Sequence, residues 1–174
     1  MKPHEEHRSR GKKDVSISII TVSTSRYEKM TKKIPFQDES ADIAAKMIQE
    51  AGHTVKSRKI VDDHKGLIRL ELLKSIYEEQ SDAIILTGGT GLSSRDVTVE
   101  AVRPLLDKEL EGFSEVFRAE SFKEVGSAAY LTRAVAGSVD GRLVFCLPGS
   151  PEAVKLGLKL ILPEIPHALY IVGT

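Results

Sequence analysis

A chain of 174 residues, 41% hydrophobic and 29% charged, is long and apolar enough for one domain to close its own core. Its 25 basic and 25 acidic side chains cancel, which excludes a global positive field for holding nucleic acid or an anionic membrane surface. No apolar stretch approaches the ~20 residues of a membrane-spanning helix, and a lone cysteine, Cys146, excludes an internal disulfide and fits a reducing cytoplasm.

In chain order, the first 13 residues, MKPHEEHRSRGKK, are polar and lack the apolar centre of a signal peptide. Residues 1–14 are expected to be a disordered polar tail with His4 and His7 solvated, and residues 15–174 one domain. VSISIITV at 15–22 is β-branched and predicts a buried first strand. A long polar loop is expected over 23–36. Residues 38–51 predict a helix with Ala41, Ala44, Ile48 and Ala51 on one face and Gly52 as its stop. A weaker strand follows at 54–61, then a helix over 65–79 with Ile68, Leu72 and Ile76 on its apolar stripe.

DAIILT at 82–87 predicts the third strand, running straight into Gly88, Gly89, Thr90 and Gly91. A helix is expected over 98–106, capped by Asp96 or Thr98 and disturbed at Pro104. Residues 112–131 read as mostly helical. Residues 133–139 and 142–147 flank Asp140-Gly141, a two-residue hairpin signal. Residues 150–162 predict a last helix, with Ser150 as cap and Pro151 in the first position. Strands alternating with helices give an α/β fold, a three-layer sandwich with a mainly parallel sheet and an antiparallel edge hairpin.

In such sheets ligands bind beyond the carboxyl ends of the strands, and three strand-end loops stand out. TGGTGLSSRDVT at 87–98 has three glycines in four residues, which let backbone N–H groups approach an anion, among the hydroxyls of Thr87, Thr90, Ser93, Ser94 and Thr98. It is neither a nucleotide P-loop nor a dinucleotide fingerprint. IVDDH at 60–64 places Asp62 and Asp63 where the chain leaves the second strand; one of them is expected to cap the next helix. LPGSPEAV at 147–154 offers Pro148, Gly149 and Ser150 at a helix start with free N–H groups. Cys146 reads as a small buried hydrophobe, the scattered His53, His64 and His167 have no metal-ligand spacing, and Glu78 and Glu79 read as solvated.

TGGTGLSSRDVT, LEGFSEVFRAESF at 110–122 and LPGSPEAV, in this order, resemble the MoaB/MogA family of molybdenum cofactor biosynthesis proteins. The resemblance covers residues 15–172, and the central segment with RAVAG at 133–137 lies closer to the MoaB branch. It implies a molybdopterin-binding domain that assembles as homotrimers or homohexamers. It also implies transfer of AMP from ATP to the molybdopterin phosphate with pyrophosphate released, an attack of one anion on another for which Mg²⁺ is the expected cofactor. The adenylylated pterin would pass to the pathway's metal-insertion protein for molybdate or tungstate.

Two family aspartates match Asp96 in RDVT and Asp62 in IVDD, where they would organise magnesium and substrate. The hydroxyl and glycine positions Ser23, Thr87, Gly88, Gly89, Thr90, Gly91, Ser94, Thr98, Pro148, Gly149 and Ser150 would line the substrate site. Residues 23–26 read STSR where many members have Ser-Asp-Arg, so that aspartate's role does not carry over. The alternatives are a non-catalytic molybdopterin-binding or delivery protein, which does not need Asp62, and a CinA-like nucleotide-processing enzyme. Phe113, Phe117 and Phe122 in the segment 111–130 predict a subunit contact, with core packing as the competing reading.

Overall fold

Strand β1 (Ser16–Val22) forms where the β-branched run predicts it, with every residue after Ser16 buried. In this computed structural model, which describes residues 11–173, it lies second from one edge of a six-stranded sheet. The other strands are β2 (Thr54–Val61), β3 (Ala83–Thr87), β4 (Lys108–Glu109), β5 (Val135–Val139) and β6 (Arg142–Leu147), in the order β2-β1-β3-β6-β5-β4. The pairs β1–β2, β1–β3 and β3–β6 are parallel, whereas β5 pairs antiparallel with both β6 and β4. The hairpin turns through Asp140 (φ 46°) and Gly141 (φ 73°), the two positive-φ positions that favour such a dipeptide. The two-residue β4 outside it was not legible in the sequence.

Among the described residues, seven α-helices flank the sheet: α1 (Thr24–Thr31), α2 (Glu39–Glu50), α3 (Lys65–Tyr77), α4 (Thr98–Val102), α5 (Glu111–Val125), α6 (Pro151–Ile161) and α7 (Ile165–Val172). Side chains alternate across a strand, and each face of the sheet has its own core. Ile17, Ile19, Ile85 and Leu147 pack with Ala41, Ala44 and Ile48 of α2, Phe117 of α5 and Leu158 of α6. Ile20, Ile84, Leu86, Val144 and Cys146 pack on the other face with Ile68, Leu72 and Ile76 of α3 and Val99 of α4. Burial pushes the Cys146 thiol up to about 12, which fits a packing role.

Several expectations are corrected. The expected loop 23–36 contains α1, started by Ser23, whose hydroxyl accepts from the Arg26 N–H; none of its residues is buried and most are polar, so no apolar stripe announced it. Ala51 is exposed beyond the end of α2. Helix α4 ends at Val102 and tightens into a 3-10 turn at Arg103–Leu105, around Pro104. Helix α7 follows a proline-interrupted apolar stretch and was not predicted. Glu79 is not simply solvated: burial raises its pKa, but bonds from Ser57 and Ser18 and the Lys59 charge outweigh that and lower it. Residues 1–10, with His4 and His7, lie outside the described residues, but the end of the expected tail is fastened to the domain by Lys12–Asp82 at 2.6 Å and Thr54–Asp14 at 2.9 Å.

Asp82, just before β3, ties the amino ends of three strands. Its Oδ2 accepts from Lys12 Nζ and from the N–H and hydroxyl of Ser16, and its Oδ1 accepts from Arg142 at 3.3 Å. Burial works to raise its pKa, but Lys12 and Ser16 outweigh that and hold it below the usual carboxylate range. A lowered folded pKa contributes stability that is present above the ordinary value and lost as pH falls through the lowered one. Asp82→Asn is therefore expected to cost about 1–3 kcal/mol at neutral pH. In urea unfolding, the gap to wild type should close as pH drops below the ordinary Asp value of 3.8; a gap independent of pH would refute the ionic account.

Candidate functional site

The chain runs from β1 to β2 on one side, then crosses to β3 on the other. That reversal opens a crevice beyond the carboxyl ends of β1 and β3, the usual ligand position in a parallel sheet. The glycine loop leaves β3 there. The IVDDH loop leaves β2 beside it, and the LPGSP loop leaves β6 on the other side. They are pinned together by Ser23 N–H to Val61 O (3.0 Å), Gly88 N–H to Leu147 O (2.9 Å) and Ser40 Oγ to Gly149 O (2.7 Å).

Glycine is required here first by the protein itself. Gly88 (φ 95°) lies so close to the Val22 carbonyl that a β-carbon would overlap it, and a β-carbon on Gly149 would come 3.2 Å from Gly88 Cα. Gly89 (φ 67°) leaves room for the Thr98 hydroxyl, and on Gly91 a β-carbon would lie 2.6 Å from Asp96 Oδ2. The space the glycines leave is thus filled by protein atoms.

The loop's backbone groups are sorted by direction. Gly88 O accepts from Thr98 Oγ1 (2.8 Å) and Gly89 O from Thr98 N–H (3.0 Å), while Thr90 O and Gly91 O accept from Arg133. A trans peptide sets its N–H opposite its C=O, so the N–H groups of Gly89, Thr90, Gly91 and Leu92 point away from these anchors. Among the described residues, these four N–H groups find no acceptor. Consecutive N–H groups without a protein acceptor are what a backbone offers to an anion.

Carboxylates flank this cradle. Asp96 accepts from the Ser93 N–H through Oδ2 (2.9 Å) instead of capping α4, whose cap, Val97, makes no side-chain bond. Neither Asp62 nor Asp63 caps α3 either; His64 does. Both instead converge on Thr24. Its hydroxyl lies 2.5 Å from Asp62 Oδ1 and 2.9 Å from Asp63 Oδ2, and its N–H donates to Asp63 Oδ2 at 2.8 Å. Asp63 Oδ1 faces Gly89, 3.3 Å from where a β-carbon would stand. Thr24 and Asp63 were not singled out by sequence reasoning for this role; Thr24 falls where the STSR run departs from the family pattern.

The remaining expected positions divide. Gly149 and Ser150 are exposed at the start of α6, where Ser150 Oγ accepts from the Ala153 N–H, and Pro148 is half-buried. Ser94 is exposed on the loop, and Ser23 is half-buried at the start of α1. Thr87 and Thr90 are buried, and Thr87 Oγ1 has no partner among the described residues. Thr98 acts on the loop, with its hydroxyl committed to Gly88. Of the phenylalanines, Phe117 is core, Phe113 is half-buried against Phe145 with ring centroids 5.5 Å apart, and Phe122 is 61% exposed.

Residues 18–167 match the family described as "Probable molybdopterin binding domain". The chain is 42% identical over 167 residues to the molybdenum cofactor biosynthesis protein B of Bacillus cereus, covering 95% of each. It is 37% identical over 157 residues to the "Probable molybdopterin adenylyltransferase" of Methanocaldococcus jannaschii, covering 90% of this chain and 93% of that one. The crystal structure of the tungsten cofactor synthesizing protein MoaB from Pyrococcus furiosus superposes with a TM-score of 0.84 at 39% identity, over 94% of this chain and 99% of that one. Matches of this extent, spanning all three site loops, establish that the chain belongs to the MoaB/MogA family of molybdenum cofactor biosynthesis proteins.

Proposed function

We propose that the chain acts in molybdenum cofactor biosynthesis by adenylylating molybdopterin. The observation that carries this reading is the run of four anchored peptides whose N–H groups find no acceptor among the described residues, with the carboxylates of Asp63 and Asp96 beside Gly89 and Gly91. A phosphate oxygen of molybdopterin attacks the α-phosphorus of ATP, a P–O–P bond forms, and the bond to the β-phosphate oxygen breaks with its electrons as pyrophosphate leaves. The nucleophile is already anionic, so no general base is required. The chain's task is to align two anions and offset their repulsion.

Carboxylates on two loops are the donor type that magnesium prefers, although among the described residues Asp62, Asp63 and Asp96 are not gathered into one group of three metal ligands. Asp62 Oδ1 accepts from the Asp63 N–H and Asp63 Oδ2 from the Thr24 N–H, the two share the single proton of the Thr24 hydroxyl, and Asp96 keeps Oδ1 without a protein donor among the described residues. Magnesium favours one or two carboxylates together with substrate phosphates, and Asp62 and Asp96 are the residues proposed to hold it. When bound, it would neutralise charge on the ATP phosphates. The outward N–H groups bind a phosphate oxygen, and the Gly149–Ser150 helix start offers a second polar contact. The decisive experiment mixes purified protein with ATP, magnesium and molybdopterin and looks for adenylylated pterin and pyrophosphate; molybdopterin binding without product would leave a binding or delivery role.

We further propose a homotrimer or homohexamer, whose product passes to the metal-insertion protein. Val116, Phe122 and Val125 on α5 and Tyr130 beyond it are about half exposed or more, an apolar surface suited to a subunit contact. Light scattering should give three or six times the 19.1 kDa chain mass. A monomer mass would refute the assembly.

A further inference from the structure

Half of the anion cradle depends on one side chain that the adenylylation reading leaves without a role: Arg133, the first residue of the RAVAG run. Its Nε donates to Thr90 O (3.2 Å) and Gly91 O (3.0 Å), and its Nη2 to Gly91 O (2.6 Å) and Asp96 O (3.4 Å). Behind it, Nη1 and Nη2 grip the Glu100 carboxylate, which this bond holds below the usual carboxylate range. The guanidinium is therefore engaged by three carbonyls of one loop and a carboxylate at the loop's far end. Drawing the Thr90 and Gly91 carbonyls to one side turns the N–H groups of Gly91 and Leu92 to the other.

We propose that Arg133 is the positioning residue for phosphate recognition by the glycine loop, holding the Gly91 and Leu92 N–H groups and the Asp96 backbone in place while Glu100 orients its fork. This rests on the reading that the loop binds a substrate phosphate. Arg133 acts through the loop, because Nε, Nη2 and one N–H of Nη1 are taken by the loop carbonyls and Glu100. A lysine carries the same charge but lacks the planar fork, so the two roles separate.

The test compares wild type, Arg133→Lys, Arg133→Gln and Glu100→Gln by amide hydrogen exchange over residues 88–98 and by kinetics with magnesium, ATP and molybdopterin. In Arg133→Lys, exchange at the bonded loop amides of Ser93, Asp96 and Thr98 should rise about tenfold or more, while the strands stay protected. KM for one phosphate-bearing substrate should rise about tenfold with kcat within about threefold, the mark of lost uniform binding. Glu100→Gln should move exchange in the same direction by less. Wild-type exchange and KM in Arg133→Lys would overturn the proposal. So would a KM lost in Arg133→Gln yet kept in Arg133→Lys, which would mean direct charge contact. If wild type itself forms no adenylylated pterin, the transfer reading fails, and the exchange measurements still decide the role of Arg133.

Discussion

Asp96→Asn is expected to lower AMP transfer roughly a hundredfold to a thousandfold, the size of losing one preorganised electrostatic group. Asparagine is the informative replacement because it keeps a carbonyl oxygen for the Ser93 N–H, and with it the turn that closes the loop. Thermal unfolding close to that of wild type would show that the loss is chemical. Asp96→Ala also removes the turn bond, so its loss would mix both effects. Asp62→Asn tests the second carboxylate at the same scale, with Asp63→Asn as its companion. A loss in Asp63→Asn with near-normal turnover in Asp62→Asn would move the magnesium role to Asp63, whose Oδ1 is the oxygen that faces Gly89. Near-normal turnover in Asp96→Asn would sink the metal-organising proposal.

Gly88→Ala should be the most damaging single methyl addition in the site. Its φ of 95° is a conformation that L side chains rarely adopt, and the new β-carbon would overlap the Val22 carbonyl. Backbone strain of about 1–3 kcal/mol and a similar overpacking cost together give roughly 3 kcal/mol or more. For a chain of this size, that lowers Tm by roughly 6–12 °C. The obstruction is a rigidly placed β-carbon against a backbone carbonyl, so no side-chain rotation relieves it, and β1 and β3 must part at the mouth of the crevice. Calorimetric unfolding gives the measurement. A loss below ~1 kcal/mol, no more than glycine-to-alanine strain alone, would mean that the strand ends are far more pliable than their hydrogen bonding implies.

The main elements were legible because burial left a periodic mark. Ile68, Leu72 and Ile76 gave α3, and the unbroken β-branched run gave β1. Where burial is absent or shared, the mark fades: α1 has no buried residue, and α7 buries only Ile165 fully. The site was half legible. Three loops and the residue types of their carboxylates and glycines could be read, because turns after strands carry their own signature. The partners inside the loops could not. Nothing local says that Thr24 gathers Asp62 and Asp63, or that Arg133, 42 positions from Gly91, holds its carbonyl. Those bonds depend on where the sheet brings distant segments. The packing need for the loop's glycines was equally illegible, since the space their missing side chains leave is occupied by protein atoms brought in by the fold.

Strand β3 has a division of labour written along its length. Asp82 at its start ties Lys12, Ser16 and Arg142, and the glycine loop opens after Thr87 at its other end. Five residues of strand separate the two by roughly 16 Å, beyond the range at which substitutions usually couple. A lineage adapting to a new temperature or acidity can therefore retune the first end while the second goes on recognising the same ligand. Drift in robustness and drift in specificity are, along this strand, separate histories.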